Sequence, residues 1–150
     1  MNTKTIRYIV MNTGEKEAYL NTLLQEFQHL DGNEATETVF IIFPDHFADF
    51  TAYLAMATIA ERFLAKKKYE GIYQLASFHP QYLFAGSSPD DAANYTNRSP
   101  YPMLQILRET SISKALKHYA NPENIPETNI DFARQKGLEY MRLLREGCIE

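Results

Sequence analysis

The sequence predicts an α/β fold: a small sheet with helices packed on it, followed by a helical C-terminal part. Two observations predict it. Short segments rich in β-branched and aromatic residues alternate with long stretches whose apolar residues recur every three or four positions, which gives the order β-α-β-α-β. Beyond the third strand, serines and prolines placed to start helices continue to the C-terminus. That succession is the signature of an α/β layer. No repeat, low-complexity tract or linker interrupts the 150 residues, so a single domain is expected.

"TIRYIVM", residues 5–11, reads as the first strand and is closed by the turn-prone "NTG". A helix follows from about Glu15 to Leu30, its core stripe formed by Tyr19, Leu20, Leu23, Leu24, Phe27 and Leu30. "TVFIIF", residues 38–43, is apolar without alternation, the pattern of a strand covered on both faces. Pro44 ends it. A second helix is expected from about His46 to Lys68, burying Phe47, Phe50, Tyr53, Leu54, Ala57, Phe63 and Leu64, until Gly71 breaks it. "IYQLASF", residues 72–78, is the third strand. Three helices are then expected, at Pro102–Arg108, Ser111–Tyr119 and Pro126–Arg145, with Ser99 and Ser111 as N-caps.

Composition narrows the function classes. With 45% hydrophobic and 23% charged residues the chain lies far from the disordered regime. A net charge of -4 and a pI near 5.6 give it no general attraction to nucleic acid or an anionic membrane. The lysines of "AKKKY", 65–69, sit where they oppose the negative end of a helix dipole. No apolar window reaches the ~20 residues of a membrane span, and the N-terminus lacks the pattern of a signal peptide, so a cytoplasmic protein is expected. The lone Cys148 has no partner for an internal disulfide.

The stretch between the third strand and Met103 asks for an explanation. "SFHPQYLFAGSSPDDAANYTNRSPYP", 77–102, holds Pro80, Pro89, Pro100 and Pro102, and the rings of Phe78, Tyr82, Phe84, Tyr95 and Tyr101. A loop of this length needs either disorder or a task, and its aromatics argue for an ordered path. If the second and third strands run parallel with right-handed crossovers, both end on one side. Pro44, Asp45, His46 and Asp49 then lie beside His79, where open sheets bind ligands.

His79 changes protonation near neutral pH and suits an acid/base role, or a strand-end hydrogen bond to the loop. For His46, capping or simple exposure is the stronger expectation, and His29 and His118 complement helix dipoles. Asp90, Asp91 and Asn94 suit a divalent cation or a water-positioning base, and equally an N-cap at Asp90. No EF-hand or zinc spacing supports a metal, so the cofactor stays unknown. Arg98, flanked by Asn97 and Ser99, has the planar fork that grips a carboxylate or phosphate, or pairs with Asp90 or Asp91 to close the loop. Walker, G-x-G-x-x-G and G-x-S-x-G motifs are absent, and the "NYT" and "NRS" glycosylation patterns are idle without secretion.

Near its strand ends the chain resembles a known family. The runs "FPDHFADFTAYL", "YQLASFHPQYLFAG" and "DDAANYTNRSPYPMLQILRE" are similar to the bacterial family catalogued as domain of unknown function 1415, in order over nearly all of residues 5–137. The resemblance carries no reaction with it. Family members begin with a further helix bearing a Cys-Pro-Phe segment and have histidine where this sequence has Gln105. The resemblance therefore implies a binding or degenerate member if that cysteine or histidine takes part in chemistry.

The leading expectation is a small enzyme acting on an anionic metabolite, with His79, Asp90 and Asp91 catalytic and Asn94, Asn97, Arg98, Ser99 and Tyr101 binding the ligand. The alternative is a non-catalytic binding or protein-interaction module, presenting "FHPQYLF" and "SPYP" to a partner or to a second copy in a homo-oligomer. A purely architectural loop is the third.

Overall fold

A computed structural model describes residues 5–117 and 125–148. Its strands are β1 (Ile6–Val10), β2 (Thr38–Ile42), β3 (Tyr73–Phe78) and β4 (Met103–Arg108). The helices are α1 (Lys16–Gly32), α2 (Phe50–Lys66), α3 (Glu109–Leu116), α4 (Ile125–Lys136) and α5 (Leu138–Glu146), with a 3-10 helix at Ala92–Asn97. The fold is mixed α/β with a helical C-terminal part, as the sequence predicts.

The strands form one sheet in the order β1-β2-β4-β3, with β4 antiparallel to both neighbours and β1 parallel to β2. β1, β2 and β3 thus share one direction. Each crossover steps the same way across the sheet, so right-handed connections place α1 and α2 on the same face. Their stripes, Tyr19, Leu23, Phe27 and Leu30 from α1 and Tyr53, Met56, Ala60 and Leu64 from α2, close over Val39, Ile41, Leu104 and Ile106. A fully buried side chain of this kind contributes about 1.5–3 kcal/mol, so this single layer holds the fold together.

The helix termini follow local chemistry. Asp49, rather than a residue near His46, caps α2 by accepting from the Ala52 N–H at 2.9 Å. α2 ends in a paired C-terminal turn, with Lys68 at φ 67° and Tyr69 N–H donating to Leu64 O at 3.1 Å. The expected final helix is two helices. Gly137, at φ 86°, takes the left-handed conformation that stops α4 before α5 begins.

Two expectations need larger correction. Pro102–Arg108 is no helix; Met103–Arg108 is a central strand with neighbours on both sides, and so Ser99 caps nothing helical. Leu104 and Ile106 alternate into the core at period two, and strand pairing overrides the helix-starting prolines. Ser111 lies inside α3, where its hydroxyl donates to Glu37 Oε2 at 2.9 Å instead of capping. Further, β2 is not covered on both faces: only Val39 and Ile41 are buried. His118 lies outside the described residues.

Candidate functional site

β2 and β3 end side by side around Met103, which pairs with both Ile42 and Phe78. The segment after β2 therefore meets the segment after β3, as expected for Pro44 to Asp49 and His79. The contact is a hydrogen bond of 2.7 Å between His79 Nε2 and the Phe47 carbonyl. Gln81 N–H donates to Nδ1 at 3.0 Å, which leaves the ring's proton on Nε2. The ring is fully buried between Phe50 and Tyr53, at centroid distances of 5.2 and 4.9 Å. Burial holds its pKa below the ordinary 6.5. His46 instead reaches Asn12 O at 3.3 Å, and His29 reaches Thr36 Oγ1 at 3.1 Å.

Tyr53 completes this corner. Its buried hydroxyl donates to Met103 O at 2.7 Å and accepts from Phe78 N–H at 2.9 Å, tying the ends of β3 and β4 to α2.

The 79–102 loop is closed on itself. Arg98 donates to Tyr82 O at 3.0 Å and Pro89 O at 3.2 Å, and its guanidinium lies 4.6 Å from the Tyr95 ring centroid. It closes the loop through carbonyls, with no aspartate among these partners. Asp91, not Asp90, caps the 3-10 helix through Ala93 N–H, and pairs with Arg134 of α4 at 2.9 Å. That guanidinium holds the Asp91 carboxyl below its usual value. Asp90 is exposed. Asn94 is buried, accepting from Phe84 N–H at 3.0 Å and donating to Ser88 O at 2.8 Å.

Asn97 donates to Ser77 O at 3.0 Å, and its own carbonyl accepts from His79 N–H at 3.1 Å. Ser99 is buried and donates to Tyr101 O. Of the loop's rings, Tyr82 packs between Phe50 and Phe84 at 5.2 and 5.1 Å, and only Tyr101 is exposed. Two depressions lined by the loop, of about 200 and 270 Å³, are built from Phe84, Thr96 and Asn97 with residues of α4 and Met141 of α5. His79, Asp90, Asp91 and Arg98 line neither. Among the described residues no three His, Cys, Asp or Glu side chains gather as a metal ion would need.

The residues the sequence did not single out lie on the sheet's other face. Register aligns them in three rows: Ile6, Thr38, Leu107, Gln74; Tyr8, Phe40, Gln105, Ala76; and Val10, Ile42, Met103, Phe78. None is buried, and Tyr8 and Val10 are 61% and 56% exposed. Tyr8 and Phe40 stack at 5.7 Å. At the centre, Gln105 Nε2 donates to Thr38 Oγ1 at 3.1 Å. Gln105 therefore belongs to this face of β4 and to no helix. The signal for the face was the unbroken apolar run of "TVFIIF".

The model of the family described as "Protein of unknown function (DUF1415)" matches residues 1–143. The chain belongs to the DUF1415 family. No curated protein and no solved structure matches it. Within this DUF1415 protein, no helix among the described residues is long and apolar enough to cross a membrane.

Proposed function

We propose that this DUF1415 protein is a non-catalytic protein-interaction module whose working surface is the open face of its sheet. One observation carries the reading: a four-stranded sheet whose second face is apolar except at Thr38, Gln74 and Gln105, and holds no buried residue. Contiguous apolar surface of this kind is costly in water and marks a surface that another molecule covers. The loop supports it from the other side. A general acid/base needs a nitrogen free to exchange a proton with substrate, and both His79 nitrogens are engaged by the backbone. Arg98, the residue expected to hold an anion, turns its Nε–H and an Nη2 N–H onto the carbonyls of Tyr82 and Pro89.

A thermal-shift panel of phosphorylated and carboxylated metabolites and divalent ions tests the non-catalytic half. A ligand that binds only the folded state raises its apparent stability by an amount set by concentration over Kd. The expected result is no stabilisation. A metabolite that stabilises the wild type, and does so less in Arg98→Ala, would overturn the proposal in favour of an anion-binding enzyme under the 79–102 loop.

A further inference from the structure

The open face calls for an occupant, and the chain carries a surface of the matching kind. On α5, Tyr140, Leu143 and Leu144 are spaced so that they share one side of the helix, and all three are exposed. Phe132 of α4 is exposed too, and Lys136 Nζ lies 5.7 Å from its ring and 5.3 Å from that of Tyr140, joining it to the stripe. On α5, Arg142 pairs with Glu139 and Glu146 and Arg145 turns toward the Pro80 carbonyl, so the stripe is left to its apolar groups. A sheet face buries against a helix stripe in two-layer folds, as α1 and α2 do on the first face.

We infer that two copies of the chain pair about a two-fold axis, with α5 of each lying across the open sheet face of the other. This rests on the reading of that face as an interaction surface. Area favours the reciprocal arrangement. Four strands about 4.8 Å apart and five residues long present roughly 320 Å² in projection, well short of the ~800 Å² per partner of a stable interface. Adding the α5 stripe and Phe132, roughly 200 Å² from the dimensions of a helix, brings each subunit to about 500 Å² in projection, and accessible area exceeds projected area. An isologous pair uses both patches of both copies. The sheet face carries no charged side chain that burial would strand, and the one charge within the helical patch, Lys136, lies over the Phe132 and Tyr140 rings.

Sedimentation velocity and light scattering on the full chain test it, with Val10→Asp and Leu143→Asp as variants. Both positions are exposed in the single chain, so both variants fold, checked by circular dichroism and melting. The wild type is expected at twice the 17.3 kDa chain mass. Each variant, by placing a charge in an apolar contact, weakens self-association on the order of a hundredfold and runs as a monomer. A wild-type monomer at high micromolar concentration overturns the inference. So does a dimer that survives either substitution, because it then uses another surface. Failure here removes the second copy as occupant; failure of the underlying reading shows separately, as a metabolite bound through Arg98.

Discussion

If the 79–102 loop is held by His79 rather than served by it, replacing that side chain should act on stability. The ring is fully buried, and its two nitrogens bond to Phe47 O at 2.7 Å and Gln81 N–H at 3.0 Å. His79→Ala removes both bonds, worth about 1 kcal/mol each, and leaves a carbonyl without its donor at a further cost of about 1 kcal/mol. The space vacated between Phe50 and Tyr53 adds a cavity penalty of roughly 1–2 kcal/mol. The expected loss is about 4–5 kcal/mol, or roughly 10–15 °C in Tm for a chain of this size. Urea denaturation followed by circular dichroism measures it, with the m-value checked for two-state behaviour. His79→Gln keeps a donor and most of the volume, and should cost about half as much. A loss below about 1 kcal/mol for His79→Ala would refute the reasoning, since no buried, doubly bonded ring can be removed so cheaply.

The same residue sets a pH dependence. Its folded pKa lies below the ordinary 6.5, so its contribution is fully present above that value, and is lost below it as the unfolded chain takes up a proton that the fold resists. The stability gap between wild type and His79→Gln should therefore narrow on acidification below 6.5 in denaturant titrations. Tyr53→Phe leaves Met103 O and Phe78 N–H without their shared hydroxyl; a loss of about 2–3 kcal/mol is expected from the same denaturation curves. Arg98→Ala opens the loop's closure onto Tyr82 O and Pro89 O, costing about 1–2 kcal/mol. Hydrogen exchange should quicken across 79–102 while the β2 and β4 amides stay protected, and uniform acceleration over the whole sheet would contradict this.

The candidate site was legible in its parts and not in its pairings. His79, Arg98 and Asp91 were visible as the groups able to do chemistry, and the meeting of the β2 and β3 ends followed from parallel strands and right-handed crossovers. What each group bonds to depends on distances of a few ångströms across long sequence separations. Arg134, which holds Asp91 at 2.9 Å, is 43 residues away. The cap falls on Asp91 rather than Asp90 because the 3-10 helix starts one residue later than a bare reading of "PDDAAN" suggests.

By itself the sequence determined the periodic elements. The three- and four-residue spacing of Tyr19 to Leu30 and of Tyr53 to Leu64 fits only a helix with one buried face, and the β-branched runs of β1 and β2 favour strands wherever they are placed. Only the tertiary structure decided that Met103–Arg108 is a strand, because its six residues satisfy either period until β2 and β3 offer hydrogen bonds on both sides. It also decided which face of the sheet is covered. "TVFII" is apolar on both faces, but inserting β4 between β2 and β3 keeps both crossovers moving in one direction, which places α1 and α2 together and leaves Tyr8, Phe40 and Ile42 on the side no core helix reaches.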